Sequence, residues 1–468
     1  MSASFERGYN LLKEMIDAPI ASYLSSCVRC GMCASACLFF TETNDPKYTP
    51  IHKIEPLRKV WRREYTLTGK LASWLGLAKP LSDEDLADWQ ELLYDSCTLC
   101  GRCTMVCPVG NDIAYMVRKS REGMAIAGHA PAGVVAATKR TIEIGSPMGV
   151  RLPAVKVQIS HVEQETGLEV PLDQEGAEYM VLLSSMEIIN FPEYLSALAR
   201  IFHQAGKSWT ICSEAFEATN SGIQIGVGDL AREIVMRVVE GAEKLKVKTV
   251  ISPECGHAFT ALRWDGPNLI GRPYTFKVQH ILEVLDELRL AGKLKTEGFE
   301  AGRLTYHDPC QIARRGGVVE QPRNLLKMVA QDFVEMSDAG TMNWCCGGGG
   351  GVSANPDAEA IRLLAFKRKK AQLDELGPVT LVTACANCRI ILEEGLEHYQ
   401  MDVPVVGLTE TIAAHLVESP HFSPPLPNPL PHTRRPDGLG TRVGEGTNAL
   451  SPLGRELERG LAGEGEKP

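Results

Sequence analysis

Short apolar runs alternate with amphipathic helical stretches from about residue 178 onward. The runs EYMVLL, SWTIC and KTVIS have the length of buried strands, and FPEYLSALARIFHQAG and VGDLAREIVMRVVEGAEKLK, between them, have the period of helices. This alternation is typical of βαβ units, which build parallel sheets. The rhythm restarts near residue 303 with RLTYH and continues to VTLVT. The pattern therefore predicts two tandem α/β units, at 175–295 and 300–417.

The two ends of the chain have other patterns. Before residue 150, the stretch IHKIEPLRKVWRREYTLTGKLASWL reads as helical and separates two dense cysteine runs, which predicts a helical module over 1–150. Residues 418–468 are rich in proline and glycine and lack clear periodicity, so we predict a disordered tail. The predicted fold class is mixed α+β and α/β: a helical N-terminal module, two α/β units and the tail.

Charge and hydropathy narrow the functional classes. The net charge is -9, which gives no basic excess to attract nucleic acid. No uncharged apolar run reaches about 18 residues, and the first residues lack the apolar core of a signal peptide. We therefore expect a cytoplasmic protein with no direct membrane span and no nucleic-acid partner.

The chain has 15 cysteines, and their spacing carries the chemistry. Without a secretion signal, so many cysteines indicate metal ligands or redox groups rather than structural disulfides. Eight lie in two similar runs before residue 110, and five more lie between residues 310 and 388.

Each N-terminal run has the spacing C-x2-C-x2-C-x3-C, and the second run is followed by Pro108. Two copies of this spacing predict two 4Fe-4S clusters, in which the fourth cysteine of each run reaches the other cluster. Zinc bound by four thiolates is the alternative, although zinc sites usually separate two CxxC pairs by a longer loop. The first run departs from this pattern at Leu38, which follows its fourth cysteine where proline is usual. The predicted ligands are a first cysteine set, Cys27, Cys30, Cys33 and Cys107, and a second cysteine set, Cys37, Cys97, Cys100 and Cys103.

The C-terminal cysteines form a third pattern. Cys310 is followed by the pair Cys345 and Cys346, then by glycines at 347–351, and finally by Cys385-x2-Cys388. Adjacent cysteines are able to serve different irons of one larger cluster, and glycines allow the backbone to approach it closely. A metal-free dithiol remains open as an alternative. A phosphate-binding loop is disfavoured because no lysine follows the glycines at the required place.

The arrangement YHDPC, WCCGGGGG and CANC resembles the CCG domain of the heterodisulfide reductase family, preceded by the ferredoxin module of its D subunit and of the similar DsrK proteins. The resemblance covers nearly all of residues 20–416. It implies a noncubane 4Fe-4S cluster that reduces disulfides. Its implied ligands, and the implied catalytic residues, are the C-terminal cysteine set: Cys310, Cys345, Cys346, Cys385 and Cys388.

The same resemblance implies partners. A membrane-bound cytochrome b-type subunit would supply electrons from quinol, and a small DsrC-like sulfur-carrier protein or another disulfide would accept them. Such a complex places the chain peripherally, on the inner face of the cytoplasmic membrane.

The first α/β unit departs from relatives that have two complete CCG domains. Ser184 and Ser185 stand where a cysteine is expected, and Cys255 is followed by Gly and His257 instead of completing a CxxC pair. We therefore expect one complete site and one degenerate site. Whether Cys212, Cys255 and His257 form a small site of their own stays open at this point.

Four polar residues flank Cys310 and have two interpretations each. His307 and Asp308 would either position a proton for a leaving thiol or orient the loop. Arg314 and Arg315 would either attract an anionic thiol substrate or a partner's carboxylates, or form a solvated charge pair.

The sequence thus predicts an oxidoreductase, the iron–sulfur subunit of a heterodisulfide reductase-like, DsrK-like complex in sulfur metabolism. Two alternatives remain. One is the iron–sulfur subunit of a flavin-linked dehydrogenase for lactate, glycolate or glycerol 3-phosphate. The other is a non-catalytic electron relay.

Overall fold

The computed structural model describes residues 2–78 and 81–417, and its N-terminal part is helical, as the sequence predicts. The predicted disordered tail at 418–468 lies outside the described residues. The N-terminal helices are α1 (Ala3–Glu14), α2 (Ala18–Ser26), α3 (Leu38–Thr43), α4 (Pro50–Lys53), α5 (Glu55–Tyr65), α6 (Leu67–Trp74), α7 (Asp83–Gln90), α8 (Arg102–Met105), α9 (Ile113–Ala127), α10 (Ala132–Ile144) and α11 (Leu152–Thr166).

Local signals explain where several of these helices begin and end. The stretch read as one helix is divided into α4, α5 and α6, because Pro56 occupies the first turn of α5 and the Thr66 hydroxyl caps α6 by accepting from the Gly69 amide at 3.1 Å. Helix α9 begins where the Asp112 carboxylate accepts from the Tyr115 amide, and its backbone leaves the helix through a glycine in the left-handed region.

The first α/β unit contains a four-stranded sheet in the order β2-β1-β3-β4, and all neighbouring strands are parallel. Its elements are β1 (Tyr179–Val181), α12 (Ser185–Asn190), α13 (Glu193–Ala205), β2 (Trp209–Thr210), α14 (Ser221–Ile225), α15 (Gly228–Lys244), β3 (Thr249–Ser252), α16 (Gly256–Thr260), α17 (Gly266–Ile270), β4 (Lys277–His280) and α18 (Ile281–Leu290).

The second α/β unit repeats this topology with the order β6-β5-β7-β8, again parallel throughout. The repeat confirms the predicted pair of parallel α/β units. Its elements are β5 (Glu300–His307), α19 (Glu320–Val329), β6 (Ala330–Phe333), α20 (Glu359–Ala365), α21 (Lys367–Leu376), β7 (Thr380–Thr383), α22 (Ala386–His398), β8 (Val405–Gly407) and α23 (Leu408–Ala414).

Three strands were not recognised from the sequence: β4, β6 and β8. All three are at the edges of their sheets, where one row of backbone groups has no neighbouring strand. β6 is half-exposed and has the sequence AQDF, so its hydrophobic signal is weak. The predicted strands are the four central ones, β1, β3, β5 and β7, and the edge strand β2, and the central strands contain short apolar runs because both faces of the sheet are covered by helices.

The two α/β units share one hydrophobic core and meet at the carboxyl ends of their sheets. Side chains of β1, such as Val181, and of β7, such as Val382, belong to the same buried cluster. The amide of Ala386 at the start of α22 donates to the carbonyl of Glu254 at 2.8 Å. The loops that follow β3 and β7 are therefore in direct contact. Among the described residues, no helix has the length and apolar character needed to cross a membrane.

Buried carboxyl groups line the contact between the two units. The Glu254 carboxylate accepts from the Thr409 amide at 3.2 Å, and the Glu254 amide donates to Glu187 at 2.9 Å. Glu410 lies beside them and is 3.2 Å from Arg389. Burial raises the pKa of Glu410 to about 7, although Arg389 opposes the shift. A carboxyl group with a raised pKa binds its proton more tightly in the folded state than in the unfolded state.

We therefore expect the stability of the protein to fall as the pH rises from about 4.5, where an unfolded glutamate titrates, through about 7. Replacing Glu410 with Gln removes this loss, so the variant should gain on the order of 2 kcal/mol relative to the parent between pH 5 and pH 8. The measurement is the apparent melting temperature at a fixed scan rate across that range. Glu193→Gln is the matched control, because Glu193 reaches the same Arg389 from a half-exposed position. Equal pH profiles for the two variants would contradict the assignment.

Candidate metal centres

The two N-terminal cysteine loops share an unusual backbone. Arg29 and Gly31 in the first loop have φ of 57° and 82°, and Leu99 and Gly101 in the second have φ of 55° and 76°. A left-handed conformation at a non-glycine residue is strained and is found most often at functional sites. Alternation of left- and right-handed residues turns successive N–H groups toward one point, which is how backbone binds anionic groups.

The eight N-terminal cysteines surround two separate cavities. Each cavity receives three cysteines from one run and the fourth from the other run, which is the grouping that the spacing predicts, although the assignment of metal ligands stays a prediction. One cavity is lined by the first cysteine set, Cys27, Cys30, Cys33 and Cys107. The other is lined by the second cysteine set, Cys37, Cys97, Cys100 and Cys103, and by Cys345.

A buried cation adjoins the second cysteine set. Lys53 is 3% exposed, its Nζ lies 3.4 Å from the Cys37 sulfur, and it also donates to the Ser96 carbonyl. Burial alone would lower the pKa of Lys53, but the neighbouring Cys37 and Cys97 raise it. A buried ammonium group is stable only beside compensating negative charge. Four thiolates with a buried lysine therefore fit an anionic metal cluster.

The C-terminal cysteine set is buried at the carboxyl edge of the second sheet. Cys310 follows β5, and Cys385 follows β7 and occupies the N-cap position of α22. β5 and β7 are the two central strands, where the strand order reverses and α/β proteins usually form their sites. The segment between β6 and α20 adds Cys345 and Cys346, which are followed by the glycines at 347–351. We call residues 345–351 the glycine loop. All five side chains are between 4% and 7% exposed.

The adjacent cysteines contact different groups. The Cys345 sulfur lies 3.5 Å from the Thr98 hydroxyl, and a hydrogen bond to Cys345 lowers the pKa of Cys100. Cys346 instead faces Cys388, with which it shares a hydrogen bond. One cysteine of the pair is thus directed to the second cysteine set and the other to the interior of the C-terminal set.

His307 is a member of this site that the cysteine spacing did not identify as metal-binding. One ring nitrogen, the Cys346 sulfur and the Cys388 sulfur lie within 4.8 Å of one another. Among the described residues, neither ring nitrogen has a hydrogen-bond partner, and the side chain is fully buried. An unpartnered buried imidazole is costly, so it fits a position next to a bound group. Burial also lowers the pKa of the nearby Lys369 to about 8.

Asp308 has the loop-orienting role rather than the proton-positioning one. Its two carboxylate oxygens accept from the Arg323 guanidinium, each at 2.8 Å, and one also accepts from the Gly340 amide at 2.7 Å. The Asp308 carbonyl accepts from the Asn343 side chain. These bonds connect the loop after β5 to the segment just before Cys345.

The glycine loop packs directly on the second cysteine set. A methyl group at Gly350, where φ is +63°, would lie 2.8 Å from the carbonyl carbon of Thr98. The Gln311 side chain donates to the Leu99 carbonyl, and the Arg314 guanidinium donates to the Cys100 carbonyl, both at 3.0 Å. The second cysteine set and the C-terminal set therefore form one continuous region.

In the first α/β unit, side chains fill the position equivalent to the C-terminal set. The Ser184 hydroxyl caps α12 together with Glu187, and the Ser185 hydroxyl donates to the buried Glu217. Cys255 occupies the N-cap position of α16, as Cys385 does that of α22. The Cys212 sulfur packs beside Gly241 of α15, in a hydrophobic cluster against which Cys255 also packs. Within the described ranges, the structure does not bring Cys212 together with Cys255 and His257 as a metal site.

Comparisons with known proteins agree with this geometry. Residues 23–111 match a family described as 4Fe-4S dicluster domain, and residues 304–393 match the cysteine-rich CCG domain. These matches confirm the predicted ferredoxin module with two 4Fe-4S clusters, and the CCG match fits a further noncubane cluster. They favour iron–sulfur clusters over zinc.

Curated relatives resemble the chain over most of its length. The chain is 25% identical to an Hdr-like menaquinol oxidoreductase iron-sulfur subunit of Archaeoglobus profundus, over 84% of this chain and 80% of the relative. It is 28% identical to the D subunit of a dihydromethanophenazine:CoB–CoM heterodisulfide reductase of Methanosarcina barkeri, over 84% of this chain and 94% of the relative. An EtfAB:quinone oxidoreductase of Syntrophomonas wolfei is 27% identical, over 80% of this chain and 55% of the relative.

The contact between the glycine loop and Thr98 predicts the effect of a single methyl group. Gly350→Ala should destabilise the protein by about 3 kcal/mol more than Gly317→Ala, and it should lower the iron content. Both glycines have positive φ, so alanine strains the backbone at both, but a methyl at Gly317 meets no atom within 4 Å. Apparent melting temperature and bound iron of the two variants test this. Equal losses would mean that the two loops do not depend on each other.

Proposed function

The chain is an iron–sulfur oxidoreductase similar to the D subunit of heterodisulfide reductase, and from this premise we propose that it is the electron-transfer and catalytic subunit of a DsrK-like complex in sulfur metabolism. Electrons from a quinol would pass through the first and second cysteine sets to the C-terminal set, where a disulfide or trisulfide is reduced. The observation that carries the proposal is the contact of Cys345 with Thr98 and Cys100, which joins the C-terminal set to the second cysteine set.

We assign the ligands as the sequence predicts. The first cysteine set would hold one 4Fe-4S cluster, and the second cysteine set would hold the other. The C-terminal cysteine set would hold the noncubane cluster. When bound, the two cubanes supply one-electron carriers, and the noncubane cluster supplies a centre at which sulfur is reduced.

The protein residues set the conditions of this chemistry. Burial of the five C-terminal cysteines keeps bulk water away from the site. Lys53 and Lys369 place buried amino groups beside the second and C-terminal cysteine sets, which supports negative charge there. The His257 Nε2 accepts from the Gly350 amide at 3.2 Å, which leaves the other ring nitrogen for the proton of the neutral imidazole.

The electron balance requires a partner. Reduction of one disulfide consumes two electrons and two protons and releases two thiols, and oxidation of one quinol to quinone supplies two electrons. We propose a membrane-bound cytochrome b-type subunit as the quinol-oxidising donor, supported by the relative named as a menaquinol oxidoreductase subunit. The acceptor would be a DsrC-like sulfur carrier or another disulfide. The chain would then be peripheral on the inner face of the cytoplasmic membrane.

A second candidate function is an electron relay without sulfur chemistry. The relative named EtfAB:quinone oxidoreductase favours it, because that name describes electron transfer between EtfAB and a quinone. In that case the C-terminal set would store or pass electrons. Loss of Cys345 would then alter electron transfer without any effect on a disulfide.

Cys345→Ser separates these functions. We expect the parent to contain about twelve irons with matching acid-labile sulfide, and the variant about eight, because only the C-terminal cluster should be lost. Turnover of a disulfide by the parent, at least tenfold reduced in the variant, supports the reductase. Cys212→Ala is the control, because Cys212 is buried in another core and should leave iron and turnover unchanged. A parent without disulfide turnover would favour the relay.

The exchange of the fourth ligand between the two runs has its own test. Cys107→Ser should change the same electron paramagnetic resonance signal of the reduced protein as Cys33→Ser, because the two sulfurs face one cavity. Cys37→Ser should change the other signal, together with Cys103→Ser. Potentiometric titration of the four variants distinguishes the signals. If Cys107→Ser changes the same signal as Cys103→Ser, each run holds its own cluster.

A further inference from the structure

Helix α6 exposes the kind of side chain that most helices bury. Leu67, Leu71 and Trp74 follow one another at intervals of four and three residues, so they lie on one face of the helix. That face points to solvent, because Leu67 is 87% exposed and Trp74 is 81% exposed. Leu75 and Leu77 are exposed beside them. We call Leu67, Leu71, Trp74, Leu75 and Leu77 the apolar patch. Within the described residues, no side chain of α6 is buried.

The opposite face of α6 is made of small residues and packs on α5. Gly69 lies against the Arg62 carbonyl of α5, where a methyl group would collide with the oxygen. Ala72 and Ser73, three and four residues further along, are half-buried on the same side. A helix whose small residues face the protein has its large apolar residues on the outside. The exposure of the apolar patch therefore follows from the way in which α6 is attached to the fold.

Both ends of α6 are fixed. The Thr66 hydroxyl caps the start of the helix. After the helix, the Leu77 amide donates to the Ala72 carbonyl at 2.8 Å, and the Arg63 guanidinium donates to the Ala78 carbonyl at 3.4 Å. The apolar patch is therefore in place before any partner binds, so binding would not have to order it.

The surroundings of the apolar patch are basic, although the chain as a whole is acidic. Residues 56–80 contain six lysines and arginines and one acidic residue, whereas the whole chain has a net charge of -9. Lys70 follows Leu67 by three residues and precedes Trp74 by four, so its ammonium group borders the patch. In the part of the chain that the structure describes, neither Lys70 nor Arg62 has an ion-pair partner, and both are exposed. This side of the protein would therefore attract an anionic surface.

The acidic residues that follow the apolar patch in sequence are engaged by the fold. The first turn of α7 contains Asp83, Glu84 and Asp85. Asp83 is hydrogen-bonded to His129 at 2.8 Å, and Asp85 is paired with Lys59 of α5. Two of the three carboxylates therefore have partners already, so they oppose the attraction of an anionic surface less than free carboxylates would.

We propose that the apolar patch lies in the surface of an anionic lipid bilayer, with its leucines and Trp74 among the upper acyl chains and Lys70 at the level of the phosphates. Leucine and tryptophan on one face with flanking basic residues are typical of helices that lie in the membrane plane. Lys70 favours lipid over a protein partner, because lysine is depleted in protein interfaces, whereas beside lipid its ammonium group extends to the phosphates. The inference rests on the proposed function for the peripheral placement and deepens it by naming the surface that contacts the membrane.

This placement brings the first cysteine set near the membrane. Helix α5 connects α6 to the first cysteine loop, because Glu55 at the start of α5 lies 3.2 Å from Arg29 of that loop. At a rise of about 1.5 Å per residue, the 11 residues of α5 span roughly 16 Å. The first cysteine set would thus lie about one short helix away from the lipid, which suits it to receive electrons from a quinol-oxidising partner in the bilayer.

Flotation of the holoprotein with vesicles tests the apolar patch. We expect the parent to float with vesicles of equal parts phosphatidylcholine and phosphatidylglycerol. Leu67→Gln/Trp74→Gln should partition at least about tenfold less strongly, because two apolar side chains no longer enter the bilayer. Val157→Gln/Leu290→Gln is the matched control, since Val157 on α11 and Leu290 on α18 are exposed to a similar degree but lie outside the patch. Equal flotation of the two double variants would overturn the proposal.

Charge reversal at Lys70 tests the lipid class. Lys70→Glu should bind the anionic vesicles at least about fivefold more weakly than the parent, and added salt should weaken binding of the parent. Lys293→Glu is the matched control, because Lys293 is an exposed lysine beyond the end of α18. The parent should bind pure phosphatidylcholine vesicles less well than the anionic ones. Unchanged affinity of Lys70→Glu for the anionic vesicles would contradict the assignment.

Two other occupants of the apolar patch give different results. Self-association of the lipid-free parent that is lost in Leu67→Gln/Trp74→Gln, without any vesicle binding, would assign the patch to a second copy of the chain. Flotation only with vesicles that contain the cytochrome b-type subunit would assign it to that protein. Either result overturns the lipid proposal.

Disulfide turnover driven by a reduced viologen dye needs no membrane, so it tests the proposed function separately. Turnover by a parent that does not float with any vesicles would overturn this inference alone. Flotation that depends on Leu67 and Trp74, in a parent without disulfide turnover, would overturn the proposed function and leave the lipid surface in place.

Discussion

The buried guanidinium of Arg121 connects the three parts of this protein. It is fully buried and donates to two carbonyls of the helical module. The Leu93 carbonyl accepts two hydrogen bonds, at 2.7 and 2.9 Å, and the Cys97 carbonyl accepts one at 2.8 Å. It also donates at 2.6 Å to Gln224 in the first α/β unit and to Gly350 in the glycine loop. A buried charge is tolerated only when all its donors are satisfied, so the position of each partner is constrained by the others. Arginine suits this role because its five donors lie in one rigid plane.

This constraint explains why the cysteine sets form one region although they are distant in sequence. Arg121 holds the Cys97 loop and the glycine loop at the same time, and the missing side chain at Gly350 lets the second loop approach Thr98. Cys345 is thereby directed toward Cys100, and its neighbour Cys346 is directed inward to Cys388. The adjacent pair connects two sites because consecutive side chains of an irregular loop point in different directions.

The two α/β units show how one topology serves two purposes. Both sheets have the same strand order, and Cys255 and Cys385 occupy the N-cap positions of equivalent helices. In the second unit the carboxyl edge holds thiols and an imidazole that has no hydrogen-bond partner in the part of the chain that the structure describes. In the first, Ser185 and Glu217 fill the edge with a hydrogen bond of their own. The serine and the glutamate of the first unit satisfy each other, whereas the imidazole of the second unit is suited to a position beside a bound group.

The sequence by itself determined the central strands, the repeated α/β order and the grouping of the N-terminal cysteines, because these depend on local periodicity and on short spacings. Edge strands such as β6 were missed, since a half-exposed strand has little hydrophobic signal. Only the tertiary structure placed His307 beside Cys346, brought Arg314 to the Cys100 carbonyl and showed that Cys212 lies in another core. These relations join residues far apart in the chain, and their geometry depends on how the three units pack, which no local pattern encodes.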